Sequence, residues 1–128
     1  MKKIIQIIVV LISLATMVSG IVQVIAPRFV LGIVGSEVTS TTAYFFAIVG
    51  MFMILFGGLM LTTVYQAIPN RASVFWCALQ KLGASLAVIL GICHGIFQLP
   101  AGGIALFDGL SGILFLYYLS TLSKHETA

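Results

Sequence analysis

Three residues with reactive side chains interrupt long apolar stretches of this chain. Cys93 and His94 precede Pro100, and Asp108 follows it. Ionisable residues inside apolar segments of this length are costly in a bilayer, and they face the interior of a helix bundle or a wet cavity. An imidazole next to a carboxylate could relay protons, contact a quinone or a metal, or bind a small polar substrate.

Counting along the chain predicts that these three residues share one layer. His94 lies six residues before Pro100 and Asp108 eight residues after it, which corresponds to about 9 and 12 Å along two antiparallel helices. We therefore predict a buried polar layer of Cys93, His94 and Asp108. One histidine and one aspartate define no reaction, so a hydrogen-bonded pair that holds the helices together is the favoured interpretation.

Lys81 is predicted to lie apart from this layer. It precedes Pro100 by nineteen residues, about 28 Å along a continuous helix. This distance predicts that Lys81 cannot reach Asp108 and extends its ammonium group to the membrane interface instead.

No motif assigns a cofactor or a reaction. Haem ligation by His94 would need a second ligand, and the only other histidine is His125. Adjacent residues of a helix point about 100° apart, which argues against a Cys93–His94 nucleophile pair. The chain has no phosphate-binding glycine loop and no zinc motif, so we predict no metal site, leave the cofactor open and favour a protein that is not an enzyme.

Composition places the chain in a membrane. Its 128 residues are 61% hydrophobic and 7% charged, with a mean hydropathy of +1.23, whereas soluble domains carry roughly 25% charged residues. The net charge of +3 is scattered along the chain and predicts no nucleic-acid partner. The predicted partner is the lipid bilayer, and the whole chain, 1–128, is predicted to be a single integral membrane domain.

Apolar runs predict an all-α fold, a four-helix antiparallel transmembrane bundle. The helices are expected at about 4–26, 43–64, 74–98 and 102–122, each long enough to span the hydrocarbon core. The first resembles a signal peptide at its start, but its apolar character continues to Pro27, which favours an uncleaved helix. Between the first two helices, residues 29–34 predict a short interfacial helix that ends at Gly35.

Small residues predict how the helices pack, because they let backbones approach closely in lipid. The third helix carries the strongest pattern, one small residue every four positions, and is expected to pack against the fourth as a close hairpin. The first helix has a polar stripe that either forms hydrogen bonds between helices or lines a pathway. The predicted packing residues are Gly50, Gly57, Gly83, Ala87, Gly91, Gly95 and Gly109, and the stripe comprises Gln6, Ser13, Thr16, Gly20 and Gln23.

Basic residues predict the orientation. Lys2, Lys3, Arg71 and Lys124 flank one side of the predicted bundle and Arg28 the other. The positive-inside rule then places both termini in the cytoplasm. We expect a multi-pass protein of the bacterial cytoplasmic (inner) membrane.

Four segments resemble the DoxX-like group of small four-helix bacterial membrane proteins. They are residues 26–31 after the first helix, the glycine-rich 50–58, residues 79–83 of the third helix, and residues 107–109 with 112–114 of the fourth. The resemblance covers most of the chain. It implies a four-helix membrane fold and association with partner subunits, since some members are linked to quinone-dependent sulfur oxidation or redox-stress complexes. It assigns no functional residue here.

The sequence therefore predicts a non-enzymatic subunit or scaffold of a membrane complex, either as a homo-oligomer or with a partner subunit. Two alternatives stay open. One is an oligomeric small-solute channel or transporter that uses the polar stripe, and the other is a quinone- or redox-linked subunit centred on His94 and Asp108.

Overall fold

The computed structural model describes residues 2–122, and these form five α-helices without a strand. Four helices are long and apolar enough to cross a membrane, which confirms the predicted all-α fold. In chain order the helices are α1 (Lys2–Ile25), α2 (Pro27–Ile33), α3 (Ser40–Val64), α4 (Arg71–Cys93) and α5 (Ala101–Thr121).

The four long helices pack as two pairs. α1 lies mainly against α3, and α4 lies mainly against α5. The pairs meet in the half of the bundle where α1 and α4 begin and α3 and α5 end. The buried apolar core lies in that half and comprises Ile5, Val9, Ile12, Met60, Val64, Val74, Cys77, Ala78, Phe115 and Tyr118.

Glycines allow the backbones of α1 and α3 to touch. A Cβ atom added at Gly50 would lie 2.8 Å from the carbonyl oxygen of Gly20, and one added at Gly20 would lie 2.6 Å from that of Gly50. Two turns further along α3, a Cβ at Gly57 would lie 2.9 Å from the Ser13 carbonyl oxygen. The predicted packing role of Gly50 and Gly57 therefore matches their positions, and their contact is with α1.

The small-residue pattern of the third helix does not form the contact with α5. A Cβ at Gly83 would meet nothing within 4 Å, and Ala87 is exposed. The close approach of α4 and α5 is made at Gly109, where a Cβ would lie 3.1 Å from Ser85 Oγ, and at Gly112, which faces Leu82. The hairpin itself is present, and the small residues at its contact are Gly109, which is one of the predicted packing residues, and Gly112, both on α5.

Gly91 and Gly95, the last two small residues of the predicted pattern, form the C-terminus of α4 instead of continuing the helix. Gly95 adopts a φ of 74°, and the amide of Ile96 donates to the Gly91 carbonyl at 2.8 Å while that of Gly95 donates to Ile92 at 3.1 Å. This is the Schellman arrangement of a helix C-terminus. The helix stops at Cys93, five residues before the predicted end, and the ring of Phe97 covers Gly91.

The connection between α1 and α3 contains the short helix that was predicted there. α2 begins directly after Ala26, with Pro27 in its first turn, and it ends in the same Schellman arrangement around Gly35, whose φ is 71°. Thr39 then caps α3, because its hydroxyl accepts from the amide of Thr42 at 3.1 Å. The amide of Gln98 donates to the Val34 carbonyl at 2.9 Å, which ties this connection to the α4–α5 turn.

The α1–α3 contact predicts that glycine-to-alanine substitutions at Gly50 and at Gly83 affect the free energy of unfolding differently. Gly50→Ala should lower the free energy of unfolding by about 1–3 kcal/mol, because the added methyl group meets backbone. Gly83→Ala should be neutral or stabilising, because alanine is the better helix former and the space is open. Unfolding in mixed detergent micelles measures both, and equal effects at the two positions would show that the contact is not as described.

Candidate functional site

An ion pair lies inside the bundle where α1, α4 and α5 meet. Lys81 Nζ is 3.2 Å from Asp108 Oδ1 and 2.6 Å from Thr16 Oγ1, so the ammonium group donates to both. The side chains of Lys81 and Asp108 are 5% and 14% exposed. The ammonium also lies 5.1 Å from the centre of the Phe107 ring, within the range of a cation–π interaction.

These groups lie near the middle of their helices. Lys81 is the eleventh of the 23 residues of α4, and Thr16 and Asp108 lie in the central turns of α1 and α5. In a helix that spans a bilayer, the middle is the position where a charge is most costly and where it marks a functional candidate. Within residues 2–122, Lys81–Asp108 is the one ion pair.

This ion pair corrects the prediction that Lys81 and Asp108 are too far apart. The predicted separation assumed a continuous helix from Lys81 to Pro100, but α4 ends at Cys93 and Phe97 packs back against Gly91. Lys81 then lies twelve residues from the end of α4 and Asp108 seven from the start of α5, a difference of about 8 Å. The long lysine side chain covers this difference by pointing inward rather than to the interface.

The predicted buried layer of Cys93, His94 and Asp108 is not formed. Cys93 is exposed at the last residue of α4, and His94 is exposed just beyond it. The His94 Nδ1 atom lies 2.7 Å from the carbonyl oxygen of Leu90 on its own helix. Asp108 alone is inside, and its charged partner is Lys81. Because α4 ends early, Cys93 and His94 lie at the rim of the bundle.

The polar stripe of α1 faces inward, and three of its side chains form hydrogen bonds with other helices. Gln23 Nε2 donates to the Phe46 carbonyl at 2.9 Å and Gln6 Nε2 to the Val64 carbonyl at 3.3 Å, both on α3. Ser13 and Thr16 are 1% and 2% exposed. Thr16 donates to Ile12 at 2.9 Å and accepts from Lys81. Of the two predicted interpretations, hydrogen bonding between helices is the one that these contacts match.

The sequence contains a pattern that could have indicated the contact of Lys81 with Asp108 and Thr16. Thr16 lies on the polar stripe at the depth of the middle of α1, and Lys81 is in the middle of an apolar stretch, where its side chain is too far from either end to reach water easily. An inward stripe and a central lysine together indicate a contact across helices. The predicted helix lengths excluded this contact, because they extend α4 to residue 98 whereas the helix ends at Cys93.

The described residues offer no cluster for a resident metal. No group of three histidine, cysteine, aspartate or glutamate side chains in this part of the chain could hold an ion. The two cysteines are free, with Cys77 buried and Cys93 exposed. They lie sixteen residues apart on the same helix, too far for a disulfide between them.

The fold and the buried ion pair define a class, a small multi-pass helical membrane protein with a charged pair inside its bundle. No protein-family model matches the chain, and no curated protein or solved structure shows significant similarity to it.

The ion pair predicts a characteristic pattern of single and double variants. Asp108→Leu leaves the Lys81 ammonium buried without a counter-charge and should lower the free energy of unfolding by roughly 3–5 kcal/mol. The double variant Lys81→Met with Asp108→Leu should recover most of that loss, because two apolar side chains carry no desolvation penalty.

Unfolding of the single and double variants in detergent micelles measures this coupling. Glu37→Gln is the matched control, because Glu37 is exposed in the connection before α3 and its replacement should change stability by less than about 0.5 kcal/mol. Additive losses in the double variant would mean that the two side chains do not interact.

Proposed function

We propose that this protein is a non-enzymatic subunit or scaffold of a membrane complex. The observation that carries the proposal is an outward-facing notch on α4, defined by Gly83 and Ala87. Both residues are exposed, and a Cβ at Gly83 would meet nothing within 4 Å. They lie one turn apart, so they share a face of the helix.

The physical support comes from what small residues do elsewhere in the same chain. Where Gly20 meets Gly50, the missing side chains let two helices touch through their backbones. Helices in lipid associate through close packing of this kind, because burial of apolar surface gives no advantage there. The notch on α4 offers the same kind of surface, and no described helix of this chain occupies it.

The exposed leucines beside the notch fit the same role. Leu79 lies one turn before Gly83 and Leu90 one turn after Ala87, and they are 38% and 49% exposed. Large side chains on both sides of a small pair give a neighbouring helix a groove to enter. A second copy of this chain or a helix of a partner subunit could fill it.

The proposed location is the bacterial inner membrane with both termini in the cytoplasm. The support is the excess of basic residues at the end of the bundle where α1 and α4 begin, where Lys3 and Arg71 lie. Arg28 lies at the opposite end, after α1. Membership of the DoxX-like group is part of the same proposal, because that group has four-helix members that work beside partner subunits.

An oligomeric channel or transporter is the second candidate, and the mid-membrane ion pair is the observation that favours it. Inside one chain the polar side chains of α1 are buried and hydrogen-bonded, so a pathway would have to form between chains. The quinone- or redox-linked alternative needs His94 and Asp108 in one site. His94 contacts the Leu90 carbonyl and Asp108 pairs with Lys81 instead.

The assembly proposal predicts that a bulky residue in the notch separates the complex without unfolding the chain. Gly83→Leu should reduce the assembled fraction in native membranes, measured by chemical cross-linking and by the mass of the solubilised complex. Its thermal stability as an isolated chain should stay unchanged. Gly103→Leu is the matched control, because Gly103 on α5 is also exposed with no atom within 4 Å of an added Cβ.

A wild-type chain that is monomeric and without partners in native membranes would overturn the proposal. So would equal assembly of the wild type and Gly83→Leu. If cross-linking instead captures a second copy or another membrane protein at Gly83→Cys and not at Gly103→Cys, the notch is the contact surface.

The proposed orientation makes the native cysteines reporters of topology. A membrane-impermeant maleimide added to the outside of spheroplasts should label Cys93, which is exposed at the non-cytoplasmic end of α4. Cys77 should react only after unfolding, because it is 1% exposed. A Cys93→Ser variant should lose the label, and labelling of Cys93 only in inverted vesicles would reverse the orientation.

A further inference from the structure

A groove runs along the outside of the α4–α5 pair, on the side where Ser85 and Ile89 of α4 face α5. Its volume is about 380 Å³. On α5 it extends from Gly102 to Ile113, the second and the thirteenth of the 21 residues of that helix. The axial distance between these two residues is about 16 Å, so the groove reaches from the α4–α5 turn to the middle of the span.

The bottom of the groove is narrow because the two helices touch there. Ser85 Oγ donates to the Ala105 carbonyl at 2.7 Å, and a Cβ atom added at Gly109 would lie 3.1 Å from the same hydroxyl oxygen. Ser85 and Ala105 are buried, whereas the larger side chains at the edges, Ile89 and Leu106, are 46% and 64% exposed. The groove is therefore a valley between two helices in contact, with bulky apolar edges.

The lining of the groove suits a hydrocarbon. Among the described residues that line it, Ser85 has the one polar side chain, and its hydroxyl hydrogen is already donated to Ala105. A polar ligand would give up its hydrogen bonds to water here without gaining others. At Leu106 and Ile113, both exposed, the groove continues into the apolar surface that contacts the bilayer.

We propose that this groove binds one acyl chain of a membrane phospholipid. The hydrocarbon core of a bilayer is about 30 Å thick, so a chain of one leaflet extends about 15 Å, which matches the length of the groove. At roughly 30 Å³ for a water-sized group, the volume holds about a dozen methylene groups. Length and volume both correspond to a single chain that enters next to the α4–α5 turn.

An acyl chain fits this groove better than a helix does. A helix with its side chains is about 10 Å wide, and Ile89 and Leu106 hold its backbone away from the narrow bottom. A chain of methylene groups is one carbon atom wide and reaches Ala105 and Gly109. The hydrocarbon core holds no water to fill the space, and atoms that line an empty space lose their dispersion contacts. A chain in the groove restores those contacts.

The groove is separate from the notch that carries the proposed function. Ser85 and Ile89 follow Gly83 and Ala87 by two residues each, which places them about 200° further around α4. A helix in the notch and an acyl chain in the groove therefore lie on opposite sides of α4. The groove is formed within a single chain, so lipid binding does not depend on the proposed assembly.

The experiment counts the phospholipid molecules that stay with the protein. Wild-type protein is reconstituted with palmitoyl-oleoyl phosphatidylethanolamine and phosphatidylglycerol, transferred to detergent, and weighed by native mass spectrometry. One phospholipid per chain should remain after the loosely bound lipid has exchanged. Wild-type protein that retains no phospholipid overturns the proposal.

A bulky side chain in the groove should expel the lipid. Gly102→Phe places a ring where the acyl chain enters, and it has room, because the nearest atom to an added Cβ is Ile92 Cδ1 at 3.9 Å. Gly103→Phe is the matched control, because Gly103 is the next residue of α5, is exposed and lies outside the lining. Most of the retained phospholipid should be lost in Gly102→Phe and kept in Gly103→Phe. Equal retention in the two variants overturns the proposal.

Photo-cross-linking locates the acyl chain in wild-type protein and decides the matter if Gly102→Phe does not fold. A phospholipid with a diazirine in the middle of one acyl chain is irradiated after the transfer to detergent, and the adducts are mapped by peptide mass spectrometry. They should lie at Ile89 and Leu106. Leu90 is the internal control, because it is 49% exposed on the notch side of α4. Adducts at Leu90 at the same level overturn the proposal.

A cysteine at the edge of the groove tests for a second copy of the chain as the occupant. Leu106→Cys in a Cys93→Ser background should form no disulfide between copies in native membranes, because lipid covers this side of α5. A disulfide-linked dimer at this position would place a second copy over the groove and overturn the proposal.

Discussion

The need to compensate a charge in the membrane interior is the constraint on which this structure depends. Transfer of an ammonium group from water into a low-dielectric interior costs several kcal/mol even after relaxation. Lys81 meets this cost with a carboxylate from α5, a hydroxyl from α1 and the face of an aromatic ring. These contacts join α1, α4 and α5 at one depth, so the ion pair links the two helix pairs.

Close packing of small residues supplies the second constraint, and it acts unequally over the molecule. α1 and α3 touch through backbone at Gly20 and Gly50, and α5 presents Gly109 and Gly112 to α4. Gly83 and Ala87 lie four residues apart on α4 and face outward. Small residues thus form helix contacts within the chain at one place and are exposed on its outside at another, and the exposed pair is the basis of the proposed role as a subunit.

The ion pair and the notch lie on the same helix but serve different purposes. The ion pair is enclosed and linked to both helix pairs, whereas the notch is open and has no described contact within the chain. A scaffold needs both properties, a bundle that holds one arrangement and a face that a second helix can enter. The channel alternative would use the same charges only if neighbouring chains enclosed a path between them.

Residue types and periodicity determined the class of fold, because a helix must satisfy its own backbone in lipid and each apolar run is long enough to span. They also determined the inward stripe of α1, the short α2 and the packing role of Gly50 and Gly57. Tertiary structure decided the rest. A glycine every four residues gives the same sequence pattern whether it packs against a helix, faces lipid or ends a helix. The positive φ of Gly95, which marks the end of α4, is a property of the folded chain. That early end placed Cys93 and His94 at the rim and brought Lys81 to Asp108, since side-chain partners depend on where helices end as well as on where residues lie along them.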